Sequence, residues 1–224
     1  MAAGTSITPR EQRIGRALNQ LIARAPWLWP LIRWPMRKFF SDKALGWDLR
    51  TSAGSSEHLA ALAGATLHVT PSPERALDIG CGTGAATLFL AREFPQARVR
   101  GIDISPEMID AAITKVGLDP EGRVAFKVGD AAAIPYADDS FDLVAQLNMP
   151  PFFDEIVRVV RPGGHVVIAA SYGDQTPFYT PGKLLDWKLR QRGVEPVMIG
   201  EAGLGTFYVG RLTESPQMHL GSGG

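Results

Sequence analysis

The residues best suited to chemistry form a glycine-rich segment, Leu77-Asp78-Ile79-Gly80-Cys81-Gly82-Thr83-Gly84. Its three glycines stand directly after a predicted strand and before a predicted helix, so the backbone can pass close to a ligand. The spacing is GxGxG, which differs from the GxGxxG of dinucleotide pyrophosphate sites. Asp78 stands ahead of the loop, where a carboxylate would repel a pyrophosphate and attract an ammonium or sulfonium group.

Two further acidic residues follow the next two predicted strands. Asp103 lies 19 positions after Gly84 (103 minus 84), the spacing of the acid that bonds both ribose hydroxyls in doubly wound nucleoside sites. Asp130 follows the third strand, where an acceptor can take a hydrogen bond from an adenine amino group. Together these residues predict a nucleoside ligand at one edge of a sheet. A nicotinamide cofactor, or glycines with no ligand role, are alternatives that the combined spacing disfavours.

The elements that must position these residues alternate between predicted strands and predicted helices, as in an α/β fold. Short apolar runs predict buried strands, and helical patterns between them start near Ala85, Pro106, Ala131 and Phe152. The predicted strands are 76–79, 99–102, 124–128, 141–147, 165–170, 195–199 and 205–211. A helix over 181–192 precedes the last two strands, and the link between them is too short for a parallel return. We therefore predict a doubly wound, mostly parallel sheet that ends in an antiparallel hairpin.

The first fifty residues have a different character from the rest. They hold nine basic and three acidic residues, a net charge of +6 in a chain that is neutral overall. An amphipathic helix is predicted over 9–25, with shorter helices over 36–45 and 56–65. Three prolines argue against a single regular helix over 26–35. Because the basic charge lies in this leader alone, nucleic-acid binding is disfavoured.

Tryptophans and basic residues cluster in that proline-rich segment, and their role stays open between three interpretations. The cluster comprises Trp27, Trp29, Trp34, Arg33, Arg37 and Lys38. We favour a lid over an apolar substrate. A dimer contact and a membrane-surface element are the alternatives, and the prolines weigh against the membrane.

Residues 45–212 resemble the class I S-adenosylmethionine-dependent methyltransferases, in particular small bacterial proteins with a methyltransferase domain. Leu77–Gly84 is similar to the family's first motif, Asp103 to its ribose-binding acid, and Asp130-Ala131 to its adenine site. Phe141-Asp142-Leu143-Val144 resembles the fourth strand, and Arg161-Pro162-Gly163-Gly164 the turn into the fifth. The resemblance implies a Rossmann-like, seven-stranded sheet with only the last strand antiparallel.

The resemblance also implies a role for individual residues toward S-adenosylmethionine, or its product S-adenosylhomocysteine. Gly80 and Gly82 would approach the methionine part, Asp78 its amino group, Ile104 the adenine, and Asn148 the transferring methyl. The candidate cofactor residues are Asp78, Gly80, Cys81, Gly82, Asp103, Ile104, Met108, Asp130, Ala131 and Asn148. Cys81 is interpreted as a packing residue rather than a nucleophile. No metal site is expected, because no cluster of ligand residues has suitable spacing.

Candidate substrate residues are fewer. Trp47 stands in a segment that resembles the part of small bacterial methyltransferases that closes over the cofactor. Tyr172 and Asp174 follow the fifth strand and could orient a substrate, although Asp174 is better explained as a turn residue. Asn148-Met149-Pro150-Pro151-Phe152 resembles the Asn-Pro-Pro-aromatic motif of methyltransferases that act on amino groups, but Met149 interrupts it. We prefer to read the two prolines as the start of a helix. His58 is open between a lid and a surface role, and no catalytic base is identified.

We therefore expect a helical leader or lid over 1–66, a catalytic domain over 67–212 and a disordered tail over 213–224. The expected function is methyl transfer to a small, apolar or aromatic acceptor. The alternatives are a non-catalytic cofactor-binding partner and a membrane-surface methyltransferase of quinones or lipids. A single cysteine and the lack of a long apolar stretch predict a cytoplasmic protein, monomeric or homodimeric.

Overall fold

The computed structural model describes residues 9–119 and 121–213, so most of the predicted tail lies outside the described residues. Eight helices and seven strands follow one another along this part of the chain. The leader contains α1 (Pro9–Arg24), a 3-10 turn (Pro26–Leu28), α2 (Trp29–Lys43), α3 (Trp47–Thr51) and α4 (Ser56–Thr66). The sheet domain contains β1 (Arg75–Ile79), α5 (Ala85–Glu93), β2 (Arg98–Asp103), α6 (Pro106–Ile113), β3 (Val124–Val128), β4 (Phe141–Leu147), α7 (Phe153–Val159), β5 (Val160–Ala170), a 3-10 turn (Gly173–Gln175), α8 (Gly182–Arg190), β6 (Val194–Ala202) and β7 (Gly205–Leu212).

The seven strands form one sheet in the order β3-β2-β1-β4-β5-β7-β6. β7 runs antiparallel to both of its neighbours, and the other strand pairs are parallel. The predicted fold is therefore confirmed. Strands β2 and β3 lie on one side of β1, and the chain then crosses to β4 on the other side. This reversal of the strand order opens a crevice at the carboxyl ends of β1 and its neighbours.

Helices cover both faces of the sheet, which explains its apolar strands. Every residue of β4 is buried. One core cluster joins a sheet face to Ile22, Trp29 and Met36 of the leader, and the other joins the opposite face to α4 and α5. The leader thus contributes to the core of the domain.

Two predicted helices differ from the structure. The helix expected near Ala131 is absent, and residues 131–140 form turns. The Asp130 carboxylate accepts the Ala132 N–H at 2.9 Å, and the Asp130 carbonyl accepts the Ala133 N–H at 3.0 Å. Such local bonds compete with a helix, and Pro135 lacks a further donor.

The second difference lies in α2, which begins at Trp29 instead of near Met36. Pro30 lies in the first turn, where a missing backbone donor costs little. Pro35 lies inside the helix on an exposed surface. There the carbonyl that loses its partner can bond water. The segment 26–35 is divided between a 3-10 turn and α2, so the prediction that no single regular helix covers it is confirmed. The predicted start of the helix near Met36 was wrong.

The leader is tied to loops that follow the carboxyl ends of the strands. The Gln12 side chain donates to the Gln175 carbonyl at 2.5 Å, and Asn19 donates to the Tyr179 carbonyl at 2.7 Å. The hydroxyls of Ser41 and Ser105 lie 3.0 Å apart. Helices α1 and α2 therefore lie across the crevice. Within the described residues, none of the helices is both long and apolar enough to cross a bilayer.

Candidate cofactor and substrate cleft

A cavity of about 340 Å³ lies in the crevice, between the strand-end loops and the leader. Most of the residues predicted from the sequence line it together: Trp47, Asp78, Gly80, Cys81, Gly82, Asp103, Ile104, Met108, Ala131, Asn148 and Tyr172. Asp130 and Asp174 are not among the lining residues. The structure thus brings eleven of the thirteen candidates to one cavity.

Gly80 and Gly82 are needed for different reasons. Both have positive φ angles, +70° and +51°, which glycine adopts without strain. A Cβ added at Gly80 would lie 2.1 Å from the Met149 Sδ, whereas a Cβ at Gly82 would meet nothing within 4 Å. The backbone of Gly82 therefore faces open space in which a ligand can approach it. The N–H groups of Gly80 and Cys81 donate to the Ile102 carbonyl at 2.8 and 2.9 Å, which fixes the loop against β2.

Asp103 is held by the backbone in one orientation. Its two carboxylate oxygens accept the N–H groups of Gly82 at 3.0 Å and Ser105 at 2.9 Å. Each oxygen retains a further lone pair, so the carboxylate can also accept bonds from a diol. Burial raises the pKa of Asp103, and the N–H groups of Ser105 and Gly82 oppose that shift. The residue is a preorganised acceptor at the end of β2.

Asp78 is a buried carboxyl on the wall of the same cavity. Burial raises its pKa to about 7, the Thr87 hydroxyl lowers it by donating at 2.6 Å, and the charge of Asp103 raises it. Among the described residues, no lysine, arginine or histidine forms an ion pair with it. A cationic ligand group would supply the missing partner. The donor and acceptor set therefore fits an aminoacyl sulfonium nucleoside.

Cys81 lies beside these acids in a buried position. Burial, followed by the charges of Asp78 and Asp103, raises the pKa of its thiol well above 9.0. The thiolate is thus strongly disfavoured, which agrees with its interpretation as a packing residue.

The environment of Asp130 differs from the sequence-based prediction. The Trp29 indole N–H donates to its two carboxylate oxygens at 2.8 and 3.0 Å, and the Arg33 guanidinium lies 3.9 Å away. Trp29 itself lines the cavity and packs edge-on against Phe152, with ring centroids 5.0 Å apart. A leader residue thus bonds the acid that was assigned to the adenine amino group. An adenine at this position would have to share Asp130 with Trp29.

A second leader contact reaches the glycine loop. The Thr83 hydroxyl donates to the Asp48 carboxylate at 2.5 Å. Lys115 forms an ion pair with the same carboxylate and donates to the Thr83 carbonyl at 2.9 Å. This places α3, and with it Trp47, over the loop. The sequence analysis selected Trp47 as a candidate substrate residue, but it did not predict the Asp48 contacts that position the helix carrying it.

Asn148 has a positive φ of +58° and already has partners for both ends of its amide. The amide nitrogen donates to the Ser171 hydroxyl at 2.9 Å, and the amide oxygen accepts the Ser171 N–H at 2.8 Å. The Met149 carbonyl, the second acceptor that an amino-group substrate would need, accepts the Gln146 side chain at 2.8 Å. The helix after the two prolines begins at Phe153. This geometry favours the structural interpretation of the motif.

His58 is a cavity residue whose role the sequence left open. Its side chain is buried, and its ring faces Tyr172 at a centroid distance of 6.4 Å. Burial lowers its pKa, against a smaller opposing effect of Asp48. Within the described part of the chain, its Nδ1 has no hydrogen-bond partner. A neutral imidazole therefore adjoins the cavity. Asp174, in contrast, lies in a 3-10 turn and accepts a bond from Arg16 through its backbone carbonyl.

Comparison with known proteins identifies the domain that contains this cleft. Residues 76–164 match the family described as Methyltransferase domain. The chain contains a class I methyltransferase domain. It is 39% identical over 103 residues to methyltransferase GfsG of Streptomyces halstedii, which covers 42% of this chain and 37% of that protein. It is also 36% identical over 116 residues to the demethylmenaquinone methyltransferase of Lactobacillus johnsonii, with 48% of each chain covered.

The methyltransferase fold extends beyond the matched segment. A SAM-dependent methyltransferase from Aquifex aeolicus superimposes with a TM-score of 0.60 and 18% identity, covering 70% of this chain and 92% of that one. This likeness concerns the fold alone. The chain matches less than half the length of each of the two relatives.

Proposed function

We propose that this protein is an S-adenosylmethionine-dependent methyltransferase that acts on a small, apolar or aromatic molecule. The observation that carries the proposal is the convergence of three features on one cavity. These are the open backbone at Gly82, the preorganised carboxylate of Asp103, and the buried Asp78 without a cationic partner. The family match over 76–164 supports the same assignment.

The residues of the glycine loop and of the strand ends would hold the cofactor. Asp103 would accept the ribose hydroxyls, Asp78 the amino group, and Gly82 would allow close approach of the methionine part. Ile104 and Met108 would contact the adenine side. When bound, S-adenosylmethionine supplies an electrophilic methyl group on a sulfonium centre. The chain's own contribution is to align the acceptor with that group and to exclude water, effects that are worth several kcal/mol.

The cavity wall formed by the leader and the adjoining strand-end loops favours an apolar acceptor. It consists largely of aromatic and thioether side chains: Trp29, Met36, Phe40, Trp47, Met149, Phe152 and Phe178. Such a wall suits a ring or an alkyl chain and disfavours a charged acceptor. The relative named demethylmenaquinone methyltransferase makes a quinol a useful first acceptor to test.

His58 is the proton acceptor that we propose for an acceptor hydroxyl. Its imidazole is held neutral because burial lowers its pKa, and Tyr172 beside it offers a hydroxyl that can orient the substrate. A neutral imidazole can take a proton when an oxygen is methylated. His58→Asn should therefore lower turnover of a hydroxyl acceptor while leaving cofactor affinity within about twofold of the wild type.

We further propose that the leader, of which residues 9–66 are described, acts as the lid of the sheet domain. Its hydrogen bonds to Gln175, Tyr179 and Ser105 and the Asp48 contact to Thr83 support this division. A lid held by a few polar contacts can open for exchange of cofactor and substrate. A monomer or a homodimer is compatible with it.

The experiment that tests the proposal is a calorimetric titration with S-adenosylmethionine, S-adenosylhomocysteine and NADH in parallel. Binding of the first two but not the third is the expected result, followed by transfer of labelled methyl to a panel of phenols, quinols and amines. Asp103→Asn is the matched control that should weaken the binding. Binding without turnover of any acceptor would favour a non-catalytic partner protein, and binding of NADH would contradict the cofactor assignment.

A further inference from the structure

The structure divides the tryptophans of the leader between two opposite surfaces. Trp29 is buried, lines the cavity and bonds Asp130. Trp27, Leu31 and Trp34 point away from the cavity and expose 75%, 74% and 68% of their surface. The lid and the surface interpretations of this cluster therefore apply to different residues.

The three exposed residues form one stripe. Leu31 and Trp34 are three residues apart and therefore lie on one face of α2. Trp27, four residues before Leu31, lies in the 3-10 turn that precedes this helix. Lys38 continues the stripe one turn further, with a side chain 59% exposed. Large apolar side chains that are clustered and exposed mark interaction surfaces, whereas scattered ones do not.

Basic side chains flank this stripe. Arg37 and Lys38 are exposed on α2, and Arg24 is exposed at the end of α1. Arg33 is not part of this border, because its guanidinium lies 3.9 Å from Asp130 on the side of Trp29. The acidic neighbour on α2 is Asp42, which lies 3.1 Å from Lys38. The stripe and the three basic residues Arg24, Arg37 and Lys38 are called the outer α2 surface below. Its charge is positive, as is that of the first fifty residues as a whole.

We propose that the outer α2 surface docks on an anionic lipid bilayer. Tryptophan rings are favoured at the boundary between headgroups and acyl chains, and basic residues beside them are attracted to anionic lipid. The sequence-based argument against a membrane was that the prolines prevent a helix, and α2 is a helix of 15 residues. The surface therefore has the two properties of an interfacial helix, an apolar stripe and a basic border.

Charge favours lipid over a second copy of the chain as the occupant. In a symmetric dimer the same surface would face itself and would bring the arginines of both copies together. A bilayer that contains phosphatidylglycerol would neutralise these charges. Docking would also place the cleft next to the lipid, since the inner face of α2 lines the cavity, and this last point rests on the proposed function.

The test uses the full chain and flotation with vesicles of phosphatidylcholine, alone or mixed with phosphatidylglycerol. The expected result is flotation with the mixed vesicles only, weakened by salt at about 0.5 M, where charges are screened within about 4 Å. The triple variant Trp27→Ser/Leu31→Ser/Trp34→Ser and the double variant Arg37→Gln/Lys38→Gln should each reduce the bound fraction at least about tenfold.

The matched control removes three exposed apolar side chains from the sheet side of the molecule. Leu67, Val197 and Leu204 expose 80%, 45% and 64% of their surface, and Leu67→Ser/Val197→Ser/Leu204→Ser should bind vesicles as the wild type does. Titration with S-adenosylhomocysteine on every variant separates a failure of the lipid proposal from a failure of the cofactor assignment.

Three results would overturn the proposal: no flotation of the wild type with mixed vesicles, equal binding by the wild type and the charge variant, or equal loss in the control triple variant. The proposal would also be overturned, in favour of a protein interface, if the wild type formed a dimer and bound no vesicles while the Trp27/Leu31/Trp34 variant was monomeric. Should the triple variant fail to fold, the charge variant and the salt dependence still decide the question.

Discussion

Replacing Asp78 by asparagine should remove a pH dependence of stability that the wild-type chain carries. Burial raises the pKa of this carboxyl from its usual 3.8 to about 7. Between about pH 4 and pH 7 the folded chain therefore keeps a proton that the unfolded chain has released. Asp78 contributes most to the free energy of unfolding below the unfolded pKa, and this contribution is lost as the pH rises toward 7. A difference of about three pH units corresponds to about 4 kcal/mol.

The asparagine variant keeps the size of the side chain and an oxygen that can accept the Thr87 hydroxyl, but it does not titrate. Urea unfolding of both proteins without ligand, between pH 4 and pH 8, measures the effect. The stability of Asp78→Asn relative to the wild type should rise by up to about 4 kcal/mol over that range, because other titrating groups cancel in the comparison.

Asp110→Asn, at an exposed carboxyl of α6, controls for the loss of a negative charge as such. The relative stability of that variant should stay constant across the same range. A relative stability of Asp78→Asn that does not change with pH would refute the reasoning, because it would mean that Asp78 is ionised in the folded chain throughout. Calorimetry in buffers of different ionisation heat adds a second test, since a cationic ligand at Asp78 should release its proton on binding below pH 7.

Three further predictions concern the cleft. Asp103→Asn should weaken binding of S-adenosylhomocysteine by about tenfold to a hundredfold in calorimetry, because one charged acceptor worth about 1.5–3 kcal/mol is lost; unchanged affinity in a folded protein would contradict its assignment to the ribose. Trp29→Phe keeps the ring but loses the N–H bonded to Asp130, so the free energy of unfolding in urea should fall by about 1–3 kcal/mol, and an equal or higher stability would show that this bond does not hold the leader. Asp48→Asn should loosen α3 from Thr83 and speed amide hydrogen exchange in α3, with exchange in β4 as the unaffected reference.

The methyltransferase core could be predicted from the sequence because its signals are local. Gly80 and Gly82 stand where a strand must turn sharply beside a ligand, and Asp103 stands at the end of the next strand. The link between β6 and β7 is too short for anything but a hairpin. Each of these inferences needs only a few neighbouring residues and the rule that parallel strands end at one edge.

Helices α1 and α4 were predicted within one residue of their ends, but the start of α2 was beyond such reasoning. Three prolines disfavour a helix as a local pattern, yet Trp29 and Met36 bury their side chains against the sheet domain, and this packing stabilises α2. Near Ala131 a helix was predicted and the structure has none. There the hydrogen bonds of Asp130 to the N–H groups of Ala132 and Ala133 form turns instead.

Which leader residues contact the loops of the cleft was decided by tertiary structure alone. Trp29 and Asp130 are 101 positions apart, and Asp48 and Thr83 are 35 apart, so no spacing rule connects them. The burial of His58 likewise follows from the packing of α4 against the sheet. The glycine loop and its acids were thus determined by sequence because their geometry is set by the strands that carry them. The lid, the environment of Asp130 and the outward surface of α2 depend on where a separate helical segment packs, which is a property of the folded chain.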